Sequence, residues 1–301
     1  MNGWRQTARR SLFEAGFHNW WLARNRFPGV AVLCYHSVRP DDWPAGRMAF
    51  EGLHVRASEL DTHCAFLKAT CQPITLAQWR AAAAGGPPLP ERPVLVTFDD
   101  GYRSMATVAR PILQRHGVPA VLFLCTEAVE RRQLHWFDAI GLTCGEAAVQ
   151  TLKQAPFDEW RTAVSEASTP VCDHEPHALL TVNEIGELAR EGFEIGGHTD
   201  SHPILARADR DEQEQQIARN RTALEAWSGK PVAAFAYPNG ERADYTAETV
   251  ALLEQSGYQM AFTAEPGFAD HAFGLECSRY LMRSEMGAAE LAHCLHRSGA
   301  V

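Results

Sequence analysis

Three features are scarce in this 301-residue sequence, and each absence narrows what the chain can be. No run approaches the roughly 18 apolar residues that a membrane-spanning helix needs. Basic residues are fewer than acidic ones, 28 against 37, and the net charge of −9 argues against nucleic acid as the main partner. No Cys-x-x-Cys pair is present, which predicts reduced thiols and a cytoplasmic protein. The eight cysteines lie at positions 34, 64, 71, 125, 144, 172, 277 and 294.

The first 28 residues form a basic segment that precedes a larger domain, residues 29–301. Five arginines and one glutamate in residues 1–26 give a local charge of +4, so the remaining chain carries −13. The segment is not a secretory signal, because polar residues interrupt its apolar stretch and no small-residue cleavage site follows. It either lies on the inner membrane surface or packs its aromatic side chains over the larger domain. These aromatic residues, at helical spacing, are Phe13, Phe17, Trp20 and Trp21.

The segment Thr97–Tyr102, Thr-Phe-Asp-Asp-Gly-Tyr, closes an apolar run with two adjacent carboxylates, and a His-x-x-x-His pair follows about a hundred residues later. A divalent cation that performs hydrolysis takes about three nitrogen or oxygen ligands from the protein. Asp100, His198 and His202 supply that number. Successive residues on a strand point to opposite faces, but a positive φ at Gly101 would let both carboxylates reach one site. The second carboxylate could then accept a proton from the attacking water.

The motifs T-F-D-D-G and H-T-D-S-H resemble those of the polysaccharide deacetylase family, the NodB-like or carbohydrate esterase family 4 enzymes. The resemblance covers roughly residues 29–283 and includes F-A-Y-P-N-G at 235–240. It implies that Asp99 is the catalytic base and that the three residues singled out above hold the metal. It also implies that the backbone amide of Tyr237 binds the oxyanion, although this stretch would equally form an ordinary β-turn.

In better known members of the family, an arginine in the third motif orients the catalytic aspartate, and this sequence lacks that arginine. Only Phe235 and Ala236 stand at that place here. Arg279 ends a late strand-like run and is the predicted partner of Asp99. The alternative is that Arg279 forms a structural or surface ion pair.

The family's late Leu-x-His motif, which carries the general acid, is also not in its usual form. Leu291–His293 fits the letters but lies in a helix-forming stretch, which predicts a structural role for His293. The predicted acid is His36, because it directly follows the continuous apolar strand pattern 30–35. This Tyr-His-Ser-Val start resembles the permuted branch of the family, in which the strand with the acid comes first. His36 could otherwise be a hydrogen-bonded histidine at a strand end.

Seven strand-like runs are separated by helical patterns, and this alternation implies a parallel sheet. The family resemblance makes the fold an irregular (β/α)7 barrel, with catalytic groups at the carboxyl ends of the strands. The strand-like runs are 29–35, 93–98, 119–124, 193–197, 232–236, 258–262 and 277–281. The helical patterns include 57–69, 75–84, 104–116, 209–228 and 246–256.

The longest insert runs from about residue 127 to 176 and is predicted to be a lid or a binding loop. Trp136 and Phe137 near its start could stack on a sugar ring. The alternative is that they anchor the insert to the barrel.

These features predict a hydrolase that removes the N-acetyl group from an amino sugar of a surface polysaccharide or glycolipid, with a free or lipid-linked glycan as partner. One divalent ion is expected, zinc before cobalt, nickel or iron. Two other functions stay open. The first is a metal-dependent amidase for a non-sugar acyl amide or cyclic imide, and the second is a non-catalytic glycan-binding module.

Overall fold

Strands and helices alternate along the chain in this computed structural model, which describes residues 3–44, 48–167 and 176–298. The strands of the described part are β1 (Val30–Tyr35), β2 (Val38–Arg39), β3 (Val55–Arg56), β4 (Gln72–Pro73), β5 (Pro93–Asp100), β6 (Ala120–Leu124), β7 (Glu194–Gly197), β8 (Ala234–Ala236), β9 (Met260–Phe262), β10 (Phe268–Ala269) and β11 (Tyr280–Leu281). Its α-helices are α1 (Gly3–Glu14), α2 (Phe17–Leu22), α3 (Ala57–Thr70), α4 (Leu76–Ala83), α5 (Arg110–His116), α6 (Glu127–Arg131), α7 (Trp136–Cys144), α8 (Glu146–Lys153), α9 (Phe157–Glu166), α10 (Val182–Arg190), α11 (Arg210–Ser228), α12 (Ala247–Gln255) and α13 (Ala288–Ser298). A π-helical stretch, Met105–Ala109, leads into α5.

Seven of the strands run parallel and close into an irregular barrel. Strands β5 to β9 follow β1 in hydrogen-bonded order, each parallel to its neighbour. Strand β11 pairs in parallel with β1, and a parallel bridge from Phe262 to Cys277 places β9 beside the segment that leads into β11. The barrel is irregular because the ladder between β7 and β8 consists of one residue pair, Gly197 and Phe235. The predicted α/β barrel is therefore confirmed, and each predicted strand run overlaps one of the seven parallel strands, with β5 extending two residues beyond its predicted end.

The two faces of each strand contribute to different hydrophobic cores. In β1, Val30 and Val32 belong to an inner cluster, whereas the residues that alternate with them pack beneath the surrounding helices. In β5, Leu95 is also an inner residue. Thr97 and Asp99, two and four positions further on, therefore face the same way. The barrel interior is apolar near Leu95 and becomes polar towards the carboxyl end of β5.

The insert is helical, which corrects the expectation of a loop. Helices α6 to α9 occupy most of it, and α7, α8 and α9 share a core that is separate from the two clusters of the barrel. The buried residues of this core are Trp136, Phe137, Ile140, Val149 and Trp160. The end of the insert, residues 168–175 with Cys172, lies outside the described residues.

The N-terminal helices α1 and α2 pack on the barrel through one side only. The ring of Phe13 lies 5.9 Å from that of Phe66 in α3, and the ring of Trp21 lies 4.7 Å from that of His296 in α13. Trp20, in contrast, is 52% exposed. The predicted packing of this segment over the larger domain therefore holds for Phe13 and Trp21 but not for Trp20. None of the helices in the described ranges is both long and apolar enough to span a membrane.

Candidate metal centre and active site

Asp99 and Asp100 serve one site although they are neighbours on β5. Asp100 and Gly101 have φ values of 72° and 86°, so the chain turns sharply as the strand ends. A ring nitrogen of His36 is within 4.8 Å of Asp99 and 3.9 Å from Asp100 Oδ2. Both carboxylates are buried. The positive φ expected at Gly101 thus begins one residue earlier, at Asp100.

Asp100, His198 and His202 come together as one buried group. Asp100 Oδ1 lies 3.3 Å from His198 Nε2 and 3.6 Å from His202 Nε2. His198 follows strand β7, and His202 lies in the loop after it with a φ of 59°. The spacing of four residues therefore brings the imidazoles together through a strained loop and not through a helical turn.

The polar atoms of this group fit a divalent cation. His198 Nδ1 lies 2.7 Å from the carbonyl oxygen of Ala236 and must donate to it, so Nε2 carries the lone pair that faces Asp100. Asp100 Oδ1 is buried and accepts no hydrogen bond from the described residues. Burial lowers the pKa of His198, but Asp100 and Asp99 outweigh it and raise that pKa. Burial and the neighbouring His198 lower the pKa of His202, so this imidazole stays neutral, and two imidazoles with one carboxylate suit zinc.

Asn220 of α11 holds the backbone around His198. Its fully buried side-chain amide donates to the carbonyl oxygens of Leu124 and Thr199, at 2.8 and 2.7 Å, and its oxygen accepts from the His198 amide at 3.1 Å. Gly197 makes room for this contact, because a Cβ there would lie 2.7 Å from Asn220 Oδ1. One side chain thus joins β6, α11 and the histidine loop.

Asn220 was not among the residues predicted from the sequence, although a signal was available. The helical pattern 209–228 has apolar residues at Ile217 and Leu224, and residue 220 lies three positions after the first and four before the second. It is therefore on the same buried face of the helix. A polar residue on such a face needs hydrogen-bond partners and indicates a structural or site role.

Replacing Asn220 with alanine is expected to weaken zinc binding by about 10- to 100-fold, because the backbone that presents His198 loses its support. Competition with a chromophoric chelator would measure the dissociation constant. Gln215→Ala is the matched control, since Gln215 is an exposed residue of the same helix. Equal zinc affinity in folded Asn220→Ala and wild-type protein would contradict the supporting role.

Arg279 and Asp99 form a buried, bidentate ion pair. Nη1 donates to Oδ1 and Nη2 to Oδ2, both at 2.8 Å, and Nε donates to the carbonyl oxygen of Thr263 at 2.8 Å. Burial alone raises the pKa of Asp99, but the charges of Arg279 and His198 outweigh it and lower that pKa. The structure thus brings together the pair that the sequence placed at two strand ends, and Asp99 stays ionised in a fixed orientation.

Cys34 is a second neighbour of Asp99 that the sequence analysis assigned only to a strand. Its thiol donates to Asp99 Oδ2 at 3.3 Å. Burial raises the pKa of the thiol well above its usual range, so it contacts the carboxylate as a neutral group. Cys34 is a free thiol here, as are the cysteines at 64, 71, 125, 144 and 277.

His36 lies directly after β1 and is the most accessible histidine of the site. Its side chain is 16% exposed, against 2% for His198 and 7% for His202. Its Nδ1 atom has no hydrogen-bond partner among the described residues. Burial lowers the pKa of His36 below its ordinary value, although Asp100 and Asp99 act in the opposite direction. Its accessible position beside two carboxylates suits it to transfer a proton to a bound substrate.

The backbone N–H of Tyr237 is already hydrogen-bonded and is not free for its predicted role. Its backbone N–H donates to the carbonyl oxygen of Phe262 at 3.0 Å, and its hydroxyl donates to that of Leu275 at 2.7 Å. The ring stacks on Tyr245 with 4.0 Å between centroids. The predicted oxyanion role of this amide is therefore corrected, because the N–H completes the pairing of β8 with β9.

His135 and Trp136, at the start of α7, hold the backbone of two metal-site residues. His135 Nε2 donates to the carbonyl oxygen of Asp100 and the indole N–H of Trp136 to that of His202, both at 3.0 Å. Trp136 is 5% exposed and its ring lies 5.8 Å from that of Trp160. These contacts favour the anchoring alternative for Trp136 over stacking on a sugar.

His293 lies in helix α13, as predicted, and outside the site. Its ring is 6.2 Å from that of His18 in α2. The late Leu-x-His letters therefore belong to the packing of α13 against the N-terminal helices.

Comparison with known proteins gives one family and several relatives. The sequence profile described as polysaccharide deacetylase matches residues 86–261. The Bacillus subtilis (strain 168) protein YxkH is 24% identical over 256 residues, which cover 85% of this chain and 71% of that protein. The poly-beta-1,6-N-acetyl-D-glucosamine N-deacetylase of Escherichia coli (strain K12) is 29% identical over 261 residues, which cover 83% of this chain but only 36% of the enzyme.

The fold is also similar to solved structures. The Streptococcus pyogenes deacetylase PplD, solved in complex with acetate, superimposes with a TM-score of 0.66 at 20% identity. The match covers 89% of this chain and 99% of PplD. At 20% identity, this structural similarity establishes the fold of the chain and nothing about its substrate.

Proposed function

This chain belongs to the polysaccharide deacetylase family, and from that membership we propose that it is a zinc-dependent hydrolase that removes the N-acetyl group from an amino sugar. The observation that carries the proposal is a metal-donor group placed beside a separate carboxylate that a buried arginine holds. A protein that only bound glycans would have no use for an ionised carboxylate in that position. The buried pair therefore supports catalysis over a binding module.

In the proposed reaction, Asp99 accepts a proton from the water that attacks the acetamide carbonyl carbon. Arg279 fixes both carboxylate oxygens, which keeps Asp99 ionised and directs it towards the site. A divalent ion held by Asp100, His198 and His202 would supply Lewis-acid activation of the carbonyl and of water.

His36 is assigned the transfer of a proton to the leaving nitrogen as the carbon–nitrogen bond breaks. The products are acetate and a free amino sugar. We assign a backbone contact with the oxyanion to Asn239, because the Tyr237 amide is engaged and Pro238 has no N–H. The Asn239 amide, at a φ of 55°, makes no hydrogen bond within the described residues.

We propose an N-acetylglucosamine polymer or its lipid-linked form as the substrate, with the Escherichia coli relative as the guide. The chain spans about a third of that enzyme, so the substrate has to be tested directly. The cytoplasmic location stays a prediction.

Chelator-treated protein is expected to lose acetate release by at least about 100-fold, and one equivalent of zinc should restore it, because the site offers three donors for one ion. The substrates are β-1,6-linked N-acetylglucosamine oligomers, free and lipid-linked. Elemental analysis gives the metal content. His198→Ala is the control, since zinc should not restore a protein that lacks a donor.

Acetate release that survives chelation would contradict the metal-dependent mechanism. Firmly bound zinc without acetate from any amino sugar would reject the proposed substrate. A cyclic imide and an acyl amide in the same panel would then identify an amidase.

A further inference from the structure

Exposed apolar side chains are concentrated on the N-terminal helices. Within the described residues, three of the five exposed large apolar side chains fall in a stretch of nine residues. These three define the N-terminal patch: Leu12 (45% exposed), Phe17 (37%) and Trp20 (52%). Phe17 and Trp20 also stack, with 6.1 Å between ring centroids. The other two, Leu142 and Val182, lie in different parts of the chain.

Arginines border the N-terminal patch. The guanidinium of Arg24 lies 4.8 Å from the ring of Trp20 and donates to its carbonyl oxygen. The side chains of Arg10 and Arg26 are 77% and 79% exposed. Glu14 and Glu91 pair with these two arginines; residues 1–26 carry +4 with Glu14 counted, and Glu91 lowers this local charge to +3 in a chain of −9. The patch is therefore apolar, with the Arg24 cation against Trp20 and two further exposed arginines close to it in the sequence.

We propose that the N-terminal patch binds the surface of an anionic lipid bilayer. Trp20 and Phe17 would lie among the headgroups, where amphipathic aromatic side chains are favoured, and the arginines would face the lipid phosphates. The charge of the patch is opposite to that of such a membrane. Phe13, Trp21 and Leu22 stay packed on the barrel, so binding needs no rearrangement of the helices. This proposal is independent of the proposed reaction.

The patch lies away from the metal centre. Arg26 pairs with Glu91 at 2.8 Å, and the Phe27 amide donates to the Glu91 carbonyl, two residues before β5 begins. Asp100 is at the other end of this eight-residue strand, a distance of about 23 Å. The bound membrane would therefore leave the site open to solution.

The test is sedimentation of the full chain with lipid vesicles. Vesicles prepared with about 30% phosphatidylglycerol should bind the protein at least about tenfold more tightly than vesicles of phosphatidylcholine alone. Phe17→Ser/Trp20→Ser and Arg24→Gln/Arg26→Gln should each weaken binding by at least about tenfold. The matched controls are Leu142→Ser and Arg131→Gln/Arg161→Gln, which make the same changes on exposed residues elsewhere.

Equal binding to both vesicle types, or no binding, would overturn the proposal. So would patch variants that bind like wild-type protein. Thermal melts check folding, and the arginine pair tests the patch through exposed side chains even if the aromatic pair is unstable. A dimer that the aromatic variant dissociates, without vesicle binding, would show that the patch binds protein and overturn the lipid assignment. None of these readouts uses activity, so failure here is separate from failure of the proposed reaction.

Discussion

In the Asp99→Asn variant, acetate release is expected to fall by about 10³- to 10⁴-fold while zinc stays bound. Asparagine has nearly the same shape as aspartate but cannot accept the proton. Asp99 is not one of the three metal donors, and it contacts Arg279 and Cys34 instead. Steady-state kinetics and the zinc content of the same preparation would be measured together.

His198→Ala is the matched comparison for this variant, because it removes a donor and should lose both zinc and activity. Asp99→Asn places an amide N–H against an arginine N–H, so its melting temperature must be measured as well. Full activity in Asp99→Asn would remove Asp99 from the base role. Loss of zinc from that variant would show that Asp99 is a ligand.

Replacing Arg279 with methionine is expected to lower the free energy of unfolding by about 3–5 kcal/mol and acetate release by at least about 100-fold. The change leaves the Asp99 carboxylate buried without its counter-charge, and Arg279 itself is 1% exposed. Arg161→Met is the control, since Arg161 is 58% exposed and its removal should change stability little. Urea unfolding and steady-state kinetics provide the two measurements.

The double variant Asp99→Asn/Arg279→Met separates stability from catalysis. It removes both charges, so we expect it to be more stable than Arg279→Met alone while remaining inactive. Additive losses of stability would mean that the two residues do not interact. Wild-type kinetics in Arg279→Met would refute the orienting role.

The alternation of short, mostly apolar runs with helical patterns predicted a parallel sheet, and the family resemblance predicted that the sheet closes into a barrel. Strand β1 is buried along its whole length, and so is β5. The insert was harder to read, since Trp136 and Phe137 suggested a sugar platform and the short helices α7 to α9 lack a long repeating pattern. Their stability comes from a core of their own, which no local pattern reveals.

The candidate site was predictable where a role depends on the residue type and its place at a strand end. This applies to Asp99, Asp100 and Arg279. The prediction failed for Tyr237, because the role was assigned to its backbone amide. Whether that N–H is already hydrogen-bonded depends on strand pairing, which the sequence does not show directly. Asn220 was missed because a buried polar residue in a helix shows its purpose only through its partners.

The ion pair between Asp99 and Arg279 also bears on how far the family profile alone can identify an active enzyme. The family profile spans residues 86–261, an interval that holds the three proposed metal donors and Asp99 but neither His36 nor Arg279. Strands β1 and β11, which complete the barrel, also lie outside it. Substitution of His36 or Arg279 would therefore remove the proposed proton donor or the partner of Asp99 without changing the match to the family profile. For chains with this strand order, we expect that an active deacetylase is recognised only when the residues before and after the matched interval are inspected as well.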